Sequence, residues 1–281
     1  MSRVYEALVR AAPPIRAPED HEGARQPGGN EDSMSPEFSY PSRAGQTRAF
    51  AMSNGDRPHI GHEPPCPDLP APIREEVMKL VQRVFVFPNS QAPRTVVFAS
   101  VEGSGSSEIC FAAAQVLAAQ VSASVCLVSM SLPASYHAVP ASCHPVKEAN
   151  ECRGLAGAMT TSDPIANFVV PTTCRNLWLM PPASGNVTNP SVFPSEKLRA
   201  RMIELKQEFD YVLIDAPPVA SSSNAVVLGQ LADGVILVVE ANSTRHETAR
   251  AAKETFERAK VRLLGAILNN HTGPIPRAAL P

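Results

Sequence analysis

The run Ser100-Val101-Glu102-Gly103-Ser104-Gly105-Ser106-Ser107 closes an apolar stretch, Val96 to Ala99, and opens an alanine-rich one, Ile109 to Gln120. A strand, a glycine-rich turn and a helix in that order can cradle phosphate. Backbone N–H groups point inward, the helix adds its positive N-terminus, and a lysine neutralises the outer phosphates. Gly103 and Gly105 allow close backbone approach, and Ser107 offers a hydroxyl to a magnesium ion. The lysine position is Ser106. The same residues also read as an ordinary glycine- and serine-rich turn with no ligand.

The second residue able to do chemistry is Asp215. Phe209-Asp210-Tyr211-Val212-Leu213-Ile214-Asp215-Ala216-Pro217-Pro218 is a buried apolar strand ending in a carboxylate and a proline turn, the form of a Walker B segment. Open α/β sheets bind ligands at the carboxyl ends of their parallel strands, where this aspartate would stand.

These residues need a scaffold of strands and helices. Asp233 to Glu240 and Leu263 to Asn269 read as two further strands, separated by a charged amphipathic helix from about Arg245 to Lys260. The strand-helix-strand rhythm predicts an α/β fold, a doubly wound, mainly parallel sheet with helices on both faces. The first 72 residues hold 12 of the 28 prolines with few apolar runs, and Pro13 to Pro72 reads as a disordered segment. We expect a folded domain over 73–271 and a short tail over 272–281. Val4, Tyr5, Leu8 and Val9 suit a short docking turn or a frayed terminus.

From about Ile73 to Asn270 the chain resembles the bacterial tyrosine kinases, capsule and exopolysaccharide regulators within the deviant Walker A class of P-loop ATPases. The resemblance is carried by Gly154-Leu155, Asn176-Leu177-Trp178-Leu179-Met180-Pro181, Asn189-Pro190-Ser191, Phe209 to Pro218 and Leu231-Ala232-Asp233-Gly234-Val235. Met1 to Leu8 is similar to the start of polysaccharide-operon members.

The resemblance implies a site for ATP or ADP with magnesium, and the departures from its pattern bear on that site. The family lysine falls on Ser106, two family aspartates on Ser129 and Ser131, and an arginine on Pro133. Asp215 remains as the single charged catalytic position. Without the lysine and metal, paired carboxylates would be uncompensated buried charges costing several kcal/mol each, roughly; serines relieve that cost. Lys147, Arg153 and Arg175 are alternative cations that no spacing places.

If nucleotide binds, Gly103, Ser104, Gly105, Ser106 and Ser107 would hold phosphate, Ser107 and Asp215 a magnesium ion, and Asn269 the adenine, as the resemblance implies; a degenerate site would hold none. Asn269 and Asn270 equally suit a plain turn. The family's phosphorylated tyrosine tail has no counterpart in His271 to Pro281. Its glutamate-arginine-arginine helix pattern falls on Glu76, Lys79 and Gln82, which lacks the second cation. Tyr211 reads as core.

With 44% hydrophobic residues in 281, the chain can bury a sizeable core. A net charge of −2 gives no support for nucleic-acid binding. No apolar run reaches membrane-span length, which predicts a cytoplasmic protein. The resemblance implies attachment at the inner membrane through a polysaccharide chain-length regulator; a catalytically competent kinase is a second candidate partner. Cys110 and Cys126 read as core; His137, Cys143, His144 and Cys152 match no common zinc spacing. Ser221 to Ser223 read as helix-capping residues. Three functions follow: a non-catalytic regulatory or scaffold partner in exopolysaccharide synthesis, an active tyrosine kinase or ATPase with an atypical site, and a nucleotide sensor.

Overall fold

The computed structural model describes residue 69 and residues 71–87, 92–103, 105–130, 154–182 and 195–270. All lie in one of the chain's two compact units; the other, Pro13–Pro58, falls outside them. In chain order the elements are α1 (Ala71–Val81), β1 (Thr95–Ser100), α2 (Gly105–Gln120), β2 (Val125–Ser129), α3 (Gly154–Ala158), β3 (Val170–Pro171), β4 (Leu177–Met180) and α4 (Ser195–Glu208). Then come β5 (Tyr211–Ala216), α5 (Asn224–Leu231), β6 (Gly234–Glu240), α6 (His246–Arg258) and β7 (Leu263–Asn269).

Parallel strands covered on both faces read as near-continuous apolar runs, and Thr95–Ser100 is buried at every position. The seven strands form one sheet in the order β3-β4-β2-β5-β1-β6-β7. Every neighbouring pair is parallel except β3 with β4. The expected doubly wound, mainly parallel architecture is therefore the observed one. The antiparallel edge is an addition: β3 has two residues, too few to show a period in the sequence.

Side chains alternate across a strand, and the sheet accordingly has two cores. Val96, Phe98, Leu127, Leu213, Ile236 and Val238 pack on the face of α1 and α2. Val97, Ala99, Val128, Ile214, Val235 and Leu237 pack on the other face, with residues of α3, α4, α5 and α6. Continuing the alternation to the carboxyl ends puts Ser100, Ser129, Asp215, Glu240 and Asn269 all on the α2 face. That shared face is what assembles the site.

Four local expectations change. The helix after the glycine-rich turn begins at Gly105 rather than Ile109, so Ser106 and Ser107 belong to its first turn. Glycine and serine are weak helix formers, and their hydroxyl contacts described below override that preference. Gln82 leaves the α-helical spacing of Glu76 and Lys79, because α1 gives way to a π-helical turn over Gln82–Val86; Lys79 pairs with Glu76 at 2.7 Å and Glu75 at 3.2 Å. Ser223 stands at the N-cap of α5 without a side-chain cap bond; the Asn224 N–H instead donates to Ser222 Oγ at 3.1 Å. Tyr211 is only half-buried, opening β5 with its ring edge-on to Phe85 at 5.9 Å.

Candidate functional site

The turn after β1 is shaped from within and pinned to its neighbours. Ser100 Oγ donates to the Gly103 carbonyl at 3.0 Å, and Val101 N–H donates to the Val238 carbonyl at 3.0 Å. Gly103 has φ +73°, a left-handed conformation that favours glycine. Gly105 is glycine for a steric reason: a Cβ there would stand 2.8 Å from Asn269 Nδ2. The neighbour that enforces this glycine is thus a protein amide.

Asp215 receives both hydroxyls of the first turn of α2. Ser107 Oγ donates to Oδ2 at 2.7 Å and Ser106 Oγ to Oδ1 at 3.3 Å. Asp215 is 3% exposed and Ser106 2% exposed. A carboxylate beside the start of a helix is favoured by the helix dipole, typically by about 0.3–1 kcal/mol. The turn after β5 is held beside the loop, as Val219 and Ala220 N–H donate to the carbonyls of Ser100 and Val101. Burial, and then the charge of Asp215, push the Cys110 thiol well up from its ordinary range. Burial does the same to Cys126.

Ser129 pairs with Asp215 in register across β2 and β5. An aspartate at 129 would put a second carboxylate on the same face one strand spacing away, about 4.8 Å. Like charges at that separation, with no cation between them, are costly. Serine at 129 removes that repulsion; Ser131, the other substituted position, lies outside the described residues.

Asn269 closes the other side of the loop. It is 2% exposed, and its Oδ1 has no hydrogen-bond partner among the described residues. Glu240 is its register partner on β6 and a residue that sequence reasoning passed over. One oxygen, Oε1, accepts from Asn270 Nδ2 at 3.0 Å. The other, Oε2, lies 3.7 Å from the point a Cβ on Gly103 would occupy. Its place as the last residue of a parallel strand was the available signal. Asn270 has φ +58°, while Asn269 is buried within β7.

The structure brings Gly103, Gly105, Ser106, Ser107, Asp215 and Asn269 together with Glu240. Arg175 is exposed in the turn that precedes β4, at the opposite end of the strands from the loop. Ser104, Ser131, Pro133, Lys147, Arg153, the His137 to Cys152 group and the tail lie outside the described residues. Among the described residues no cluster of three metal-ligating side chains occurs. Cys110 and Cys126 are free and buried, and Cys174 is disulfide-bonded.

Magnesium and nucleotide triphosphate fit these residues unequally. Ser107 and Asp215 form a hydroxyl–carboxylate pair of the type a hard divalent cation takes. The phosphate side does not fit: Ser106 is turned onto Asp215, and the neighbours of the two glycines are an amide and a carboxylate. Glu102 and Glu108 flank the loop as exposed acids. None of these groups can neutralise a phosphate oxygen.

No family model matches the chain. The tyrosine-protein kinase CpsD of Streptococcus agalactiae serotype III (strain NEM316) is 30% identical over 125 residues, 44% of this chain and 53% of that protein. The tyrosine-protein kinase YwqD of Bacillus subtilis (strain 168) is 41% identical over 81 residues, 27% and 34% of the two chains. The chain spans about half the length of the CpsD proteins it matches. Among solved structures, the chimerical protein CapA2B2 superposes with a TM-score of 0.59 at 23% identity, covering 72% of this chain and 87% of that one. The kinase domain of Escherichia coli tyrosine kinase ETK gives 0.54 at 21% identity, covering 74% and 78%. Over part of its length the chain is similar to bacterial tyrosine-protein kinases, and its fold is the one that their solved kinase domains share.

Proposed function

We propose that the chain is a non-catalytic regulatory or scaffold partner in capsule or exopolysaccharide synthesis, built on the kinase-type fold. One observation carries this reading: Ser106, at the lysine position, is buried with its hydroxyl on Asp215 at 3.3 Å. Phosphoryl transfer depends on positioning and on cations that stabilise the phosphates. A hydroxyl committed to a carboxylate supplies neither. Ser129 and Ser131 in place of two family aspartates point the same way.

The reading places the protein in the cytoplasm. It reaches the inner membrane through a polysaccharide chain-length regulator, and a catalytically competent kinase is its second partner. Among the described residues no helix is long and apolar enough to cross a membrane. A second reading, a nucleotide sensor, is favoured by the intact Ser107–Asp215 pair, which suits magnesium.

Calorimetric titration with ATP, with and without magnesium, together with a phosphate-release assay, tests both. The expected result is no magnesium-dependent turnover, with Ser106→Lys/Ser129→Asp/Ser131→Asp gaining nucleotide affinity. Micromolar ATP binding without hydrolysis would select the sensor. Turnover by the unmodified protein, abolished by Asp215→Ala, would establish an active kinase or ATPase and overturn the proposal.

A further inference from the structure

β7 is the last strand of the sheet, and its outer edge pairs with no strand among the described residues. An exposed edge is a template for a further strand, and proteins usually blunt it with charge, proline or a bulge. From Gly265 to Asn269 β7 carries none of these; its one irregularity comes earlier, opposite Val235 and Ile236. Leu263, Leu264, Ala266 and Leu268 are left only half-buried. The Asn269 carbonyl accepts from the Ala241 N–H at 2.8 Å, so the backbone of Asn269 faces β6. Successive residues of such a ladder turn their N–H and C=O to alternate sides. Those of Ala266 and Leu268 therefore face outward.

We infer that this edge pairs antiparallel with the same edge of a second copy of the chain, about a two-fold axis at Ile267. In that register the outward groups of Ala266 stand opposite those of Leu268 in the second copy, a hydrogen-bonded pair repeated on both sides of the axis. The side chains match as well. Ala266 meets Leu268 and Gly265 meets Asn269, small against large at each directly opposed pair. Charge selects the same orientation: exposed Lys260 and Arg262 precede the strand, and the antiparallel sense carries them toward the carboxyl end of the other sheet, where Glu240 stands. A parallel neighbour would set like charges side by side. An unrelated strand satisfies the backbone but has no reason to match size and charge at once. The contact is confined to one strand edge, so a weak, concentration-dependent dimer is expected. The inference is independent of what the glycine-rich loop holds.

Sedimentation velocity of the full chain over a wide concentration range should show a monomer–dimer equilibrium that weakens as salt is raised. Ala266→Pro removes an outward N–H that an edge position can spare. It should weaken association by about tenfold or more, because symmetry removes the bond twice. Ile267→Cys sets thiols across the axis, where opposed Cα atoms stand about 4.5 Å apart, within disulfide reach. Mild oxidation should then join the copies at position 267, read by peptide mapping of the non-reduced dimer, with wild type oxidised alongside to account for the native cysteines.

A chain that stays monomeric at every concentration overturns the inference and leaves the edge to a strand of another protein. Dimerisation unchanged by Ala266→Pro, or a dimer with no link at position 267, overturns it by placing the contact elsewhere. If Ala266→Pro does not fold, the wild-type sedimentation and the link at position 267 decide the matter.

Discussion

The bond between Ser107 and Asp215 should be measurable as a coupling energy. Ser107 Oγ sits 2.7 Å from Oδ2, whereas Ser106 Oγ sits 3.3 Å from Oδ1. A hydrogen bond to a charged group contributes about 1.5–3 kcal/mol. The part exposure of Ser107 places its share at the lower end, so Ser107→Ala should cost about 1.5 kcal/mol. Ser106→Ala removes a bond near the limit of hydrogen-bond length and should cost about 0.5–1 kcal/mol. Asp215→Asn keeps the shape but removes the charge that strengthens both bonds.

Urea unfolding of wild type, Ser107→Ala, Asp215→Asn and the double variant completes the cycle, with Trp178 as the fluorescent probe. Trp178 is the single tryptophan and packs on Phe209 at 5.8 Å, so its emission reports on the core. The expected coupling is about 1–1.5 kcal/mol with unchanged m-values. Additivity within about 0.5 kcal/mol, or a larger penalty for Ser106→Ala than for Ser107→Ala, would refute the assignment of Asp215 as the acceptor that anchors the start of α2.

Other perturbations follow from the same geometry. Gly105→Ala should lower stability by about 1–3 kcal/mol, because the new methyl meets the buried Asn269 amide at 2.8 Å; an unchanged urea midpoint would contradict that packing. Ser129→Asp alone should destabilise the fold, and added magnesium should restore part of the loss. A variant as stable as wild type in chelator would show that the two carboxylates do not meet. Cys110 and Cys126, both buried with thiol ionisation pushed up, should resist alkylation at pH 8 until urea unfolds the chain; rapid labelling of either in the folded protein would contradict their placement. Phe256→Ala, at a fully buried position of α6, should cost about 3–5 kcal/mol, read as a fall in the urea midpoint.

The central strands were legible because burial on both faces leaves long apolar runs: β1, β6 and β7 fall within a residue of where the runs stand, and β5 within two. Asp215 was legible for the same reason, as the polar residue that ends such a run. The start of α2 was not, since glycine and serine carry no helical period and their helical state depends on a carboxylate 108 residues away. Glu240 was hidden for a related reason. Nothing local marks a glutamate at a strand end as the neighbour of Gly103; that proximity comes from strand order alone. The serines before α5 were legible as the approach to a helix, but the N-cap residue, Ser223, makes no side-chain cap bond, and the contact of the Asn224 N–H with Ser222 Oγ was not to be told from a repeated residue type.

The alternation that gathers Ser100, Ser129, Asp215, Glu240 and Asn269 on one side of the sheet leaves α3, α4, α5 and α6 packed on the face without them. Those four helices therefore pack on the face away from the strand-end polar groups. Exchanging charged residues for serines at the strand ends asks nothing of Leu198, Leu205, Leu228 or Phe256, so a site of this architecture can change its chemistry while the far core keeps its packing. A binding partner that docks on the far face would meet the same surface whether or not the loop is filled.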